Sequence, residues 1–331
     1  MSPLRCLVVH PGALGDVLLA RPALARLREL GYSLTLAATP RLGALLVAGG
    51  AVEAAIDFEA LGLHRLFVGT GEPEAASRLR AFDLVVSWFG SGDAGYREAL
   101  GAIARRAVVA RATPKARTHV SAYLLATLRV VGSPAGAPAT GPLGVPPAAR
   151  ASAHRWLAEV GLGARDAVVV QAGAGSPAKV FPGAAALVER LAAAGYRVVV
   201  TAGPADGAAL AALLAHGAVP ATRVARNWPV DRLAGLFALA RAFVGHDSGP
   251  THLAAAIGCP TLALFGPSDP VLWRPVGERA RVLAGAGPGA TAPWDGLSVD
   301  DVAAALSELV TGQAESGGEP ATGAAALAAG R

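Results

Sequence analysis

Residues 244–270 read VGHDSGPTHLAAAIGCPTLALFGPSDP. The apolar run ahead of Asp247 reads as a buried strand that ends at His246 or Asp247. Pro250 suits the first turn of a helix, where its missing N–H leaves no bond unmade, and that helix is expected to run to Ile257. Residues 261–265 then form a second apolar strand. Strand, glycine turn, helix, strand is the repeating unit of a parallel α/β sheet, and such sheets bind ligands at the carboxyl ends of their strands. The amides of Ser248, Gly249, Thr251 and His252 are therefore expected to face an anion, with the positive end of the helix behind them. Asp247 reads equally as an acceptor for ligand hydroxyls and as a helix cap. His252 reads equally as a ligand contact and as a satisfied helix-face histidine.

The same alternation extends outward along the chain. Residues 4–10, 33–38, 84–88 and 107–110 are compact apolar runs separated by helical patterns, and residues 167–171, 197–201, 242–245 and 261–265 repeat the theme. A Gly-, Pro- and Ala-rich stretch, 132–147, divides the two series. A chain of 331 residues is long enough for two buried cores, so two doubly wound domains are expected, over residues 1–140 and 141–311. Residues 312–331 carry few large apolar side chains and are expected to be a disordered tail.

Both series open on a strand followed by a glycine-rich turn: CLVVHPGALGD from Cys6 and AVVVQAGAGSPAK from Ala167. In the first, Gly12 and Gly15 permit a tight turn and place Asp16 at the start of a helix facing the crevice, where it either caps the helix or acts on a ligand. Pro22 lies inside that helical pattern and predicts a break near Ala20. In the second, Gly173, Gly175 and Ala178 fit a GxGxxA dinucleotide fingerprint, but the next strand has no acidic residue at its tip to hold a ribose. Lys179 also occupies a position where close helix packing is wanted. It is one of only two lysines among 29 basic residues, the other being Lys115, and it is placed to meet a phosphate as a point charge or to stay solvated at the surface.

Composition narrows the class. A net charge of +5 with dispersed arginines gives little support to nucleic-acid binding, while anionic small molecules or an anionic membrane surface stay open as partners. No apolar run approaches the ~18 residues that span a bilayer, and no secretory signal is read at the N-terminus, so a cytoplasmic protein is expected. Cys6 and Cys259 read as unpaired core thiols, and no metal-ligand cluster is apparent.

Taken together, GALGDVLLARPAL, GAGSPAKVFP and DSGPTHLAAAIGCPTLALFGPSDP resemble glycosyltransferase family 9, the ADP-heptose:lipopolysaccharide heptosyltransferases, over residues 5–311. The resemblance implies a GT-B architecture, in which two Rossmann-like domains face each other across a cleft. It further implies an inverting, metal-independent transfer of a sugar, for this family a heptose from ADP-heptose, to a cell-envelope glycan or other glycosyl acceptor at the cytoplasmic membrane face, with no cofactor. Asp16 matches the family's general base, and Lys179 the lysine that contacts the donor phosphates. Asp247, Ser248, Gly249 and His252 match its donor-binding segment, and Gly12, Gly15, Gly173, Ser176 and Thr251 complete the expected donor site. The chain carries Phe181 where a tryptophan commonly follows the lysine, and Ala174 and Gly175 precede Ser176 where hydroxyl-bearing residues are common. Acceptor contacts are expected from residues 88–96, with Ser91 and Asp93, or from residues 115–119. Rival readings are an NAD(P)-dependent oxidoreductase, a serine hydrolase built on Ser248 and His252, and a sugar-nucleotide-binding protein without catalysis.

Overall fold

A computed structural model describes residues 3–68, 73–215 and 217–311. Its strands form two sheets in which every pairing is parallel. The first contains β1 (Leu4–Val9), β2 (Tyr32–Ala38), β3 (Ala54–Asp57), β4 (Leu84–Ser87) and β5 (Ala107–Val109), in the order β3-β2-β1-β4-β5. The second contains β6 (Ala167–Gln171), β7 (Arg197–Ala202), β8 (Val224–Arg226), β9 (Ala242–His246), β10 (Thr261–Phe265) and β11 (Ala280–Ala284), in the order β11-β10-β9-β6-β7-β8. The central strands are covered by helices on both faces, which is why they are written as unbroken apolar runs such as AVVVQ rather than as alternating patterns. Val8 pairs with Leu36 on one side and Val86 on the other, and Val169 with Val199 and Phe243.

Strand order reverses between β1 and β4 in one sheet and between β6 and β9 in the other. Adjacent loops leave in opposite directions at such a point, so a crevice opens at the carboxyl ends of the strands. The helix that follows the loop after β1 carries Asp16 in its first turn, the connection after β6 carries Lys179, and β9 ends immediately before Asp247.

The expected break falls at Ala20. One helix, Leu14–Leu19, stops there, and the next, Arg21–Glu29, starts with Pro22 in its first turn. The helix after β9 spans Gly249–Ile257 and ends at Gly258, whose φ of 86° makes it a left-handed cap.

The irregular connection between the sheets is tied to both. The Leu143 N–H donates to Ala256 O at 2.7 Å and the Gly144 N–H to Gly49 O at 2.9 Å. The Leu143 side chain occupies the space that a Cβ on Gly49 would fill; burying a leucine in this way is worth roughly 1.5–3 kcal/mol. One apolar core is continuous through this point: Leu24 and Leu46 of the first half, Leu143, and Leu157, Phe237 and Leu253 of the second half pack in a single cluster. Arg21, buried, adds a bond to Ala256 O at 3.2 Å across the same boundary. Both cysteines are free and buried, and burial pushes each thiol up to about 12. Among the described residues no helix is long and apolar enough to cross a membrane. The expected tail, 312–331, lies outside the described residues.

Candidate active site

A cleft of about 1080 Å³ lies where the two switch points face each other. Asp16, Gly15, Lys179, Asp247, Ser248, Gly249 and His252 all line it. The helix beginning at Leu14 packs alongside the helix beginning at Gly249, first turn against first turn. A Cβ on Gly15 would sit 3.0 Å from the His252 ring, and one on Gly249 would sit 3.1 Å from Leu14. Neither glycine has positive φ; they are needed because the two halves approach closely, and not for a left-handed turn.

On the second sheet, Lys179 Nζ donates to Asp247 Oδ2 at 2.7 Å, and His252 Nε2 lies 3.7 Å from Oδ1. Burial pushes the Asp247 carboxyl up, but hydrogen bonds from His252, Lys179 and Ser268 together with the lysine charge outweigh it and hold the group down at about 2. Asp247 is therefore a carboxylate whose charge Lys179 balances. Lys179 keeps about a third of its side chain exposed, so its remaining protons are within reach of a ligand. Ser248 caps the helix with its backbone. Its carbonyl accepts the Thr251 and His252 N–H groups at 3.1 and 3.2 Å, while its Oγ donates to Gln171 Oε1 at 2.7 Å. Among the described residues the Ser248 and Gly249 N–H groups have no such partner.

On the first sheet, Asp16 is the third residue of its helix, and its Oδ2 accepts the Ala13 N–H at 3.1 Å. It thus caps the helix and also lines the cleft. Behind the loop, His10 is buried beside Trp88 in an edge-on ring contact, and its Nδ1 accepts the Gly12 N–H at 3.3 Å.

Several sequence expectations need correction. The amides of Thr251 and His252 are spent inside the first helical turn, and Thr251 is buried, donating to the His246 carbonyl; only Ser248 and Gly249 can offer amides to an anion. Gly12, Gly173, Ser176 and Thr251 do not reach the cleft wall. Gly173 is required because a Cβ there would lie 2.0 Å from Asp206 Oδ1. Asp206 itself comes from the turn after β7, so an acidic residue does stand in the cleft although the strand tip lacks one. Asp93, expected to contact the acceptor, caps the Ala94–Ile103 helix, accepting the Tyr96 N–H at 2.8 Å, and is not among the residues that line the cleft. Trp88 and Tyr96 are core residues. The fingerprint-like loop leads into a short 3-10 turn, Pro177–Lys179, and the next helix starts only at Ala184, so no helix amides face a pyrophosphate there. Ser248 bonds Gln171 while His252 faces Asp247, so no serine–histidine dyad is assembled.

Tertiary structure adds residues that the sequence reading did not reach. Arg41 lines the cleft from the first half, and Asn227 and Trp228 from the second; Arg41 has no ion-pair partner among the described residues. At the cleft rim Arg117 binds both oxygens of Asp269, at 2.5 and 3.1 Å, across the two halves. No group of His, Cys, Asp and Glu among the described residues is arranged to hold a metal ion.

The model of glycosyltransferase family 9 (heptosyltransferase) matches residues 94–291, more than half of the chain. The chain belongs to glycosyltransferase family 9. It is 37% identical over 135 residues to lipopolysaccharide heptosyltransferase 3 of Escherichia coli, and 36% identical over 113 residues to lipopolysaccharide heptosyltransferase 2 of E. coli K12. The first alignment covers 39% of each protein and the second 32% of each, so the match spans less than half the length of these curated relatives. Solved structures extend the likeness over nearly the whole family-9 chain. A glycosyltransferase family 9 protein from Veillonella parvula superposes with a TM-score of 0.77 at 18% identity, covering 93% of this chain and 97% of that one. E. coli ADP-heptose lipopolysaccharide heptosyltransferase II gives 0.69 at 20% identity, covering 94% and 99%. The shared fold is the GT-B architecture, and the family-9 chain has both of its parallel sheets and the cleft between them.

Proposed function

We propose that this family-9 chain is an inverting glycosyltransferase that moves a heptose from ADP-heptose to a hydroxyl of a cell-envelope saccharide. The observation that carries this reading is the convergence, in one cleft of nucleotide-sugar size, of Asp16 from the first sheet with Lys179, Asp247 and the Ser248–Gly249 amides from the second. Residues 1–140 then serve the acceptor and residues 141–311 the donor. The donor diphosphate takes a charge-assisted bond from Lys179 and the two free amides at the positive helix end. Asp247, fixed as an anion, accepts hydroxyls of the sugar.

In the reaction the acceptor oxygen attacks the anomeric carbon from the face opposite the diphosphate. Asp16 takes the hydroxyl proton as the new C–O bond forms. The bond from the anomeric carbon to the phosphate oxygen breaks, and its electron pair leaves with ADP. Lys179 and the helix amides meet the charge that develops on the leaving group. These cationic and dipolar groups take the place of a divalent ion, so ADP should raise the melting temperature equally with magnesium and with EDTA. A requirement for magnesium would contradict this. A saccharide acceptor in the envelope implies a place at the cytoplasmic face of the membrane.

Two substitutions test the roles. Asp16→Asn keeps the helix cap and should leave donor affinity intact while turnover falls by about 100-fold or more, the usual range for a general base. Near-normal turnover would make Asp16 a cap alone. Lys179→Ala should weaken ADP binding by ~10-fold or more, as loss of a charge-assisted contact does, and unchanged affinity would remove Lys179 from the donor site.

A further inference from the structure

His10 is a buried imidazole that the proposed mechanism does not use, and it is 1% exposed. Its Nδ1 accepts the Gly12 N–H, so Nδ1 carries no proton and the neutral ring must hold its proton on Nε2. That Nε2 is fully buried and has no hydrogen-bond partner. An orphaned buried donor is costly and uncommon in a native fold. Its neighbour is the residue that matters most in the cleft: the point where a Gly12 Cβ would sit is 2.8 Å from His10 Cε1 and 2.9 Å from Asp16 Cβ. The Nδ1–Cε1 edge of the imidazole and the Asp16 Cβ thus both border the space beside Gly12, which has no side chain to fill it. Asp16 meanwhile commits Oδ2 to the Ala13 N–H. Burial lowers the His10 pKa to about 4 despite the opposing influence of Asp16, so the ring stays a neutral donor at neutral pH.

We propose that His10 is the positioning residue of Asp16, its Nε2–H donating to the Asp16 carboxylate when the cleft is occupied and turning a carboxylate oxygen toward the acceptor hydroxyl. The inference rests on the reading of Asp16 as the base. A helix cap alone leaves the carboxylate free to turn, whereas a second donor from a rigid ring fixes the plane in which it can accept a proton. Trp88, packed edge-on at 5.7 Å, holds the ring in turn.

Two conservative variants separate the two ring nitrogens. In His10→Asn the side-chain carbonyl can still accept the Gly12 N–H, but no donor stands at the Nε2 position. In His10→Gln an amide N–H reaches that position. The expected result is that His10→Asn loses about 10-fold in kcat, the order expected for a lost bond to a charged group, with KM and ADP-induced stabilisation unchanged, and that His10→Gln recovers most of it. Combining Asp16→Asn with His10→Asn should be no slower than Asp16→Asn alone, because the two residues act as one unit. Equal rates for His10→Asn and wild type, equal losses in both single variants, or additive losses in the double variant would each overturn the proposal. Nitrogen NMR of the wild-type protein provides a check that needs no altered chain. The His10 signal, assigned by its disappearance in His10→Gln, should be that of the Nε2–H tautomer, and an Nδ1–H signal would also overturn it. If Asp16→Asn retains full activity, the base assignment itself has failed. If Asp16→Asn is slow and His10→Asn is normal, only the positioning role has failed.

Discussion

His10 and Asp247 make stability depend on pH in two separate windows. Burial pulls the His10 pKa from 6.5 to about 4, so the neutral ring favours the folded chain fully above pH 6.5 and this contribution is lost as pH falls through about 4. The shift corresponds to something on the order of 3 kcal/mol. Asp247, held at about 2 against an ordinary 3.8, adds stability above pH 3.8 that is lost as pH falls through about 2. Melting temperature should therefore decline from pH 6.5 downward, and His10→Gln should flatten the upper part of that decline. A variant curve parallel to wild type would mean that His10 does not titrate in this range. Cys6 and Cys259 give a simpler check, because both thiols are buried and protonated. A thiol reagent should find neither in the folded protein and both after denaturation.

At the scale of elements, the helices Pro147–Glu159 and Val230–Leu239 pack backbone to backbone. A Cβ on Gly235 would lie 2.3 Å from the Ala149 carbonyl oxygen, so Gly235→Ala must push two backbones apart. Overpacking of this kind costs about 1–3 kcal/mol, which a denaturant titration would read as a lower midpoint; an unchanged midpoint would show that the pair yields freely. Among the described residues eight of the eleven strands were legible in the sequence, seven because a strand covered on both faces has to be apolar throughout, and β5, at an edge, because it is a compact AVV run. The three that were not, β3, β8 and β11, are edge strands whose residues are largely half-buried or exposed, so neither a continuous run nor an alternation marks them. The placement of Asp16, Lys179 and the Asp247–Gly249 turn in the cleft was legible for a related reason: each lies in the connection that leaves the carboxyl end of a strong strand. Arg41 and Trp228 were not legible, since nothing local distinguishes a side chain that meets the cleft only after both sheets have formed; Asp206 was missed because it stands four residues past the end of β7, beyond the strand tip where an acidic residue was sought. Nor could spacing tell that the Thr251 and His252 amides would be consumed within their own helix.

The whole molecule is held together by more than its covalent connection. The core cluster passes from one half to the other through Leu143, and Arg117 with Asp269 adds a polar tie at the cleft rim. Unfolding followed by calorimetry should accordingly show one cooperative transition, with both sheets melting together; two separated transitions would mean that the shared core contributes little. Breaking the rim tie by Arg117→Ala should leave that transition nearly in place, since an exposed pair is worth only ~0–1 kcal/mol, and a large drop in melting temperature would contradict this. The anchoring of Leu143 over Gly49 also bears on how the protein can be engineered. A chain cut at residue 146 would present each half with an unfinished apolar wall, and the two pieces should stay in solution only when made together and allowed to recombine.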